Sequence, residues 1–87
     1  MDDLTRQREI NRAAKVKEIF RNEIFAETLD VLRDRYKSEW AATAPEDNDA
    51  RERLYYLSLA LEEFHGHLRS VLETGQMAEE QLQHKLH

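Results

Sequence analysis

The sequence predicts an all-α fold arranged around an antiparallel helical hairpin. Two observations carry this prediction. Only two glycines and one proline interrupt the 87 residues, so long helices are favoured throughout. Apolar residues also recur at helical spacing on both sides of the loop that contains the proline. No segment shows the alternation of apolar and polar residues that is typical of strands. We expect a single helical domain over residues 1–87.

The clearest element is a long amphipathic helix over residues 49–74. Asp49 followed by Glu52 resembles a capping box, and Gly75 is a candidate left-handed stop at the other end. The apolar stripe of this helix consists of Leu54, Leu57, Leu61, Phe64, Leu68, Val71 and Leu72. Such a stripe must be buried against other helices.

The second helix of the predicted hairpin covers residues 23–42. Its stripe consists of Phe25, Leu29, Leu32, Tyr36 and Trp40. Residues 43–47 form the loop, because Pro45 cannot continue a helix and biases the preceding residue away from helical geometry. A loop this short joins antiparallel neighbours. We therefore expect Trp40 near Leu54 and Leu57, and Phe25 near Leu68 and Leu72.

Two further helices flank the hairpin. Residues 4–21 form an N-terminal helix with a weak apolar arc, and Asn22 is a candidate break and cap. A helix that continues through Asn22 is the alternative. After Gly75, residues 77–86 are predicted to form a short terminal helix. We expect residues 83–87 to fray.

Composition favours self-association and an intracellular, soluble protein. With 40% hydrophobic residues and no cysteine, the chain has neither a rich core nor a disulfide, so a homo-oligomer is expected. The N-terminus lacks the apolar run of a signal peptide, and no stretch approaches a membrane span, so we expect no membrane partner. The net charge of −5 argues against a surface that binds nucleic acid as a whole.

The charge is distributed unevenly along the chain. Residues 1–22 carry six basic and four acidic side chains, whereas residues 23–49 carry three and eight. The acidic strip, a candidate docking surface for a basic partner, consists of Glu23, Glu27, Asp30 and Asp34. The basic strip, whose residues are candidate phosphate contacts, consists of Arg8, Arg12 and Lys15. A solvated face is the simpler interpretation of the acidic strip, and pairing between the two strips, within the chain or between subunits, is another interpretation of the basic one.

No pattern indicates catalysis, a cofactor or a metal site. Glu62 and His65 have the spacing of half a di-iron site, but the chain has no second copy of that motif. His65 borders the apolar stripe, which favours a hydrogen-bonded boundary histidine. Cysteine and glycine-rich phosphate loops are absent from the sequence. We therefore expect a protein that is not an enzyme.

A second apolar stripe on the third helix lies opposite its core face. A glycine inside a helix costs about 1 kcal/mol relative to alanine, and close approach of another helix would explain Gly66. The candidate partner or oligomer contacts are Tyr55, Leu59, Gly66 and Ser70 on the third helix, with Ile24 and Val31 on the second.

Four segments of the chain form a recognisable pattern of loop, cap and helix end: Trp40-Ala41-Ala42-Thr43-Ala44-Pro45-Glu46-Asp47, Asp49-Ala50-Arg51-Glu52-Arg53-Leu54, His67-Leu68 and Glu73-Thr74-Gly75-Gln76-Met77-Ala78. On these segments, residues 10–83 resemble a family of small, mostly uncharacterised helical proteins of tailed bacteriophages and prophages. The resemblance implies a helical accessory protein, without catalytic residues, in the host cytoplasm or the virion. Its function would be helix–helix contact with a phage or host protein during DNA packaging or virion assembly. An anti-defence inhibitor that binds a host protein through the acidic strip, and a small DNA-binding packaging subunit, are the alternatives.

Overall fold

Three helices make up the described part of the chain. A computed structural model describes residues 2–86, with α1 over Asp3–Arg21, α2 over Glu23–Ala42 and α3 over Asn48–Leu86. Within these residues no strand occurs, which confirms the all-α fold class. The prediction of a separate C-terminal helix is wrong, because α3 runs without interruption through Gly75 for 39 residues.

Asn22 separates α1 from α2 by itself. Its backbone N–H donates to the carbonyl of Ile19 and closes α1, at an N···O distance of 3.1 Å. Its side-chain oxygen accepts from the N–H of Phe25, at 3.0 Å, and caps α2. One residue therefore satisfies backbone groups at two helix ends. The predicted break is confirmed, and the alternative of a continuous helix is excluded.

The loop between α2 and α3 is held by side chains at both of its ends. Thr43 donates its hydroxyl to the carbonyl of Trp40 and accepts from the Arg51 guanidinium, which also lies 4.9 Å from the Trp40 ring. At the other end the Asp47 carboxylate accepts from the N–H of Ala50. The cap of α3 is thus Asp47, and the predicted cap at Asp49 is wrong because the helix begins before it, at Asn48.

Helices α1 and α2 lie one after the other along α3. Residues early in the chain contact the C-terminal part of α3, and later residues contact parts of α3 nearer its N-terminus. Near the C-terminal end of α3, Lys85 pairs with Asp3. Further along, the ring centroids of His65 and Phe20 are 5.5 Å apart. Phe64, one residue earlier in α3, contacts Phe25 of α2.

The α2 contacts with α3 differ in part from those predicted. The Phe25 ring lies 6.5 Å from the Phe64 ring, and the expected proximity of Phe25 to Leu68 and Leu72 stays a prediction. Those two leucines lie on α3 between the residues that contact α1. Trp40 does line a groove with Leu54, as expected, but its side chain is 42% exposed.

The reason why α3 is not interrupted at residue 75 is that Gly75 is buried against α1. No described glycine has a positive φ, so Gly75 is an ordinary helical residue. A Cβ at this position would lie 2.7 Å from the Glu9 carbonyl oxygen and would also collide with the Ala13 methyl. The missing side chain lets α1 and α3 approach closely. Glycine thus serves here as a helix contact and not as a left-handed helix end.

The resulting molecule is elongated and has a thin core. It measures 60 × 26 × 16 Å, and its radius of gyration is 18.4 Å, compared with about 12 Å for a compact chain of this length. The longest dimension matches a helix of 39 residues, which extends about 58 Å. The buried apolar side chains among the described residues are Ala13, Val16, Leu29, Leu54 and Ala78. None of the helices in residues 2–86 combines the length and the apolar character needed to cross a bilayer.

Residues 83–86 belong to α3, and Lys85 within them forms the ion pair with Asp3. His87, the last residue of the predicted frayed tail, lies outside the described residues. Fraying of this segment stays a prediction.

Candidate interaction surfaces

The first candidate surface is the outer face of α3, which we define by Tyr55, Leu59, Gly66, Ser70 and Met77. All five are exposed, and their spacing along the helix places them on one side. Tyr55 is 57% exposed, and its ring meets that of Tyr56 edge-on at 5.6 Å. The sequence-based prediction included every member except Met77. Met77 follows Ser70 by seven residues, which is the signal that could have identified it.

Gly66 lies in open space on this face. A Cβ built at this position has no atom within 4 Å, so no other helix of the chain approaches Gly66. The expectation that a close neighbour explains this glycine is therefore not met within the chain. The open space leaves room for a helix of another molecule to approach Gly66 closely.

The second candidate surface surrounds the break at Asn22. We call it the elbow patch and define it by Ile19, Ile24, Phe25, Val31 and Phe64. Of these residues, Ile19, Ile24 and Phe25 line an open groove of about 680 Å³, together with Lys15, Glu18, Asn22 and Thr28. Ile24 is 69% exposed and Phe64 is 55% exposed.

Phe64 was assigned to the core stripe of the third helix, and that assignment is wrong. Its ring contacts Phe25 at the edge of the α2–α3 contact, and more than half of the Phe64 side chain faces solvent there. Ile24 and Val31, predicted as partner contacts, are exposed as expected of such residues.

The two charged strips lie at the surface, and they do not meet within the described chain. All residues of both strips are exposed. Asp30 lies 3.7 Å from Arg33, whereas the other six strip residues form no ion pair within residues 2–86. The intramolecular version of strip pairing is therefore not observed.

His65 is a hydrogen-bonded residue at the edge of the core, as predicted. Its Nδ1 lies 3.2 Å from Nη2 of Arg33, whose guanidinium can only donate, so Nδ1 is the acceptor. The same guanidinium holds both carboxylate oxygens of Glu62, at 2.6 and 3.2 Å. Glu62 and His65 thus share one arginine. Across residues 2–86, no three histidine or carboxylate side chains are placed to hold a metal ion together.

The Arg33–Glu62 pair predicts a measurable pH dependence. Hydrogen bonding and charge from Arg33 hold the pKa of Glu62 below its usual value of 4.5. A lowered pKa in the folded state contributes stability above the unfolded pKa, and this contribution disappears as the pH falls through the folded value. The Glu62→Gln variant should therefore be less stable than the wild type near neutral pH, with the difference vanishing in acid.

Urea unfolding at neutral and acidic pH measures this difference, and Glu63→Gln, on the exposed neighbouring carboxylate, is the matched control. The effect should be small because the Glu62 side chain is 54% exposed and the Arg33 side chain is 36% exposed, so solvent screens the pair. A wild-type advantage over Glu62→Gln that stays the same at every pH would contradict the assignment.

Comparisons with protein-family models, curated proteins and solved structures find no match to this chain.

Proposed function

We propose that this protein is a non-enzymatic interaction protein that acts through helix–helix contacts, and that it serves a tailed bacteriophage in DNA packaging or virion assembly. The phage setting depends on the resemblance of residues 10–83 described above. The mode of action depends on the exposed surface. In this proposal, α2 and the first half of α3 form an antiparallel hairpin that presents the outer face of α3 to a partner.

The observation that carries the proposal is an excess of exposed surface. The chain exposes 6841 Å², whereas a compact monomer of 10.4 kDa exposes about 5,400 Å². Large apolar side chains contribute directly, since eleven of them among the described residues are 37–82% exposed. Exposed apolar side chains that cluster, as Tyr55 and Tyr56 do, are typical of binding sites.

The outer face of α3 suits a partner helix. Its apolar and small residues extend over 23 positions from Tyr55 to Met77, or about 33 Å of helix. Aromatic residues at one end supply the large contact area that is enriched at interfaces. Gly66 in the middle leaves room for a neighbouring backbone.

Complementation of a phage that lacks the gene tests the proposal. The wild-type protein should restore packaged DNA or particle yield, and the double variant Tyr55→Ser with Leu59→Ser should not. Glu63→Ser, an exposed substitution on the same helix, is the control that should restore both. Full restoration by the double variant, or normal particles without the gene, would refute the proposal.

A further inference from the structure

The elbow patch is an apolar surface with no cover in the described chain. Helices α1 and α2 supply Ile19 and Ile24 from either side of the break, and Phe64 of α3 extends the patch. Asn22 creates this arrangement, because its two capping hydrogen bonds end one helix and start the next within a single residue. The break therefore gathers exposed isoleucines at a bend, where they line an open groove.

The area available is sufficient for a stable interface. The chain exposes about 1,400 Å² more than a compact monomer of its mass, which follows from the two areas given above. A standard protein interface removes about 800 Å² from each partner. One such interface would remove less area from each copy than this excess.

The charges on either side of the elbow are complementary. Helix α1 carries the basic strip, and α2 carries the acidic strip. For each of the three basic residues, one acidic residue lies at the same sequence distance from Arg21 on the other side of the elbow. The three pairs defined in this way are Arg8 with Asp34, Arg12 with Asp30 and Lys15 with Glu27.

We propose that two copies of this chain pair through their elbow patches about a twofold axis that passes near Asn22, so that α1 of each copy lies antiparallel on α2 of the other. Because both helices rise by the same distance per residue, positions equally far from the elbow become opposite each other. The three pairs then form between copies, and each forms twice. This inference rests on the proposed function, in which exposed helical surfaces bind other helices. It assigns a second copy of the chain as the partner of the elbow patch.

A second copy fits this patch better than an unrelated helix does. In a twofold interface the same patch meets itself, so it must be apolar at the axis and carry opposite charges on its two sides. The elbow patch has its isoleucines at the centre, the basic strip on one arm and the acidic strip on the other. Like charges would instead lie opposite each other if the two copies were parallel.

Sedimentation equilibrium of paired variants tests the apolar part of the interface. Ile24→Lys should raise the dimer dissociation constant on the order of 30-fold or more, since it places a charge at the axis. Tyr55→Lys, on the outer face of α3, is the matched control and should leave the constant unchanged. Both side chains are more than half exposed, so circular dichroism should show unchanged helix content in both. A monomeric wild-type protein, or a dimer disrupted by Tyr55→Lys alone, would overturn the proposal.

A charge swap tests the register in which α1 of one copy pairs with α2 of the other. Its result does not depend on whether any single variant folds, because the double variant should regain what each single variant loses. Arg12→Glu and Asp30→Arg should each weaken the dimer, and the combination should restore it. The two residues cannot pair within one chain, since Arg12 adjoins His67 and Val71 whereas Asp30 adjoins Arg33 near the other half of α3. Failure of the double variant to dimerise better than either single variant would overturn the register.

This experiment and the complementation test fail separately. Loss of dimerisation in a protein that still restores phage particles would leave the proposed function in place and remove the elbow dimer. A normal elbow dimer in a protein that no phage requires would leave the elbow dimer in place and remove the proposed function.

Discussion

Replacing Gly75 with alanine should destabilise the protein by roughly 2 kcal/mol, although alanine is the better helix former. The gain in helix propensity is about 1 kcal/mol. This gain is outweighed by the cost of the new methyl group, which would lie 2.7 Å from the Glu9 carbonyl oxygen and would collide with the Ala13 methyl. Both obstacles belong to the helical backbone or lie directly on it, so α1 itself must shift, and a severe overlap of this kind should cost about 3 kcal/mol, the upper end of the usual range for overpacking.

Gly66→Ala is the matched control, because it makes the same chemical change in the same helix. No atom lies within 4 Å of the added methyl, so this variant should gain about 1 kcal/mol of stability. Urea unfolding of both variants should thus show shifts of opposite sign. Equal stabilisation of the two would mean that α1 does not approach α3 at Gly75.

Leu54→Ala should lower the free energy of unfolding by about 3 kcal/mol. Leu54 is 5% exposed and is one of five apolar side chains in the core of the described chain. It lies under the loop that joins α2 to α3, in grooves lined by Trp40 and Thr43. Truncation removes apolar contact in a place where the loop side chains are fixed by hydrogen bonds, so the cavity cannot easily collapse.

Leu59→Ala provides the comparison, since Leu59 is exposed on the outer face of α3. Its truncation should change stability by less than about 0.5 kcal/mol. Chemical denaturation at the same protein concentration measures both variants. A loss for Leu59→Ala as large as that for Leu54→Ala would show that the outer face is buried in the protein as it exists in solution.

The breaks at Asn22 and Pro45 could be predicted from sequence because their causes are local. A short amide caps the residues next to it, and a proline ring blocks the helix that precedes it. Gly75 could not be assigned in this way. Glycine fits a left-handed helix end and a close helix contact equally well. The choice depends on Ala13, which is 62 positions away in sequence.

The surfaces were partly predictable for the same reason. Periodicity identified Tyr55, Leu59, Ile24 and Val31 as apolar residues outside the main stripe, and all four are exposed. Periodicity alone could not show that Phe64 is exposed, since this depends on the angle at which α2 meets α3. Nor could it show that α1, rather than α2, covers the second half of α3.

The molar mass of the unmodified protein across a dilution series is the most direct test of the central claim, that the exposed faces of this elongated chain exist to be covered by another helix. Light scattering should give twice the 10.4 kDa chain mass at high concentration, falling toward 10.4 kDa on dilution. A constant mass of 10.4 kDa at every concentration would contradict the account.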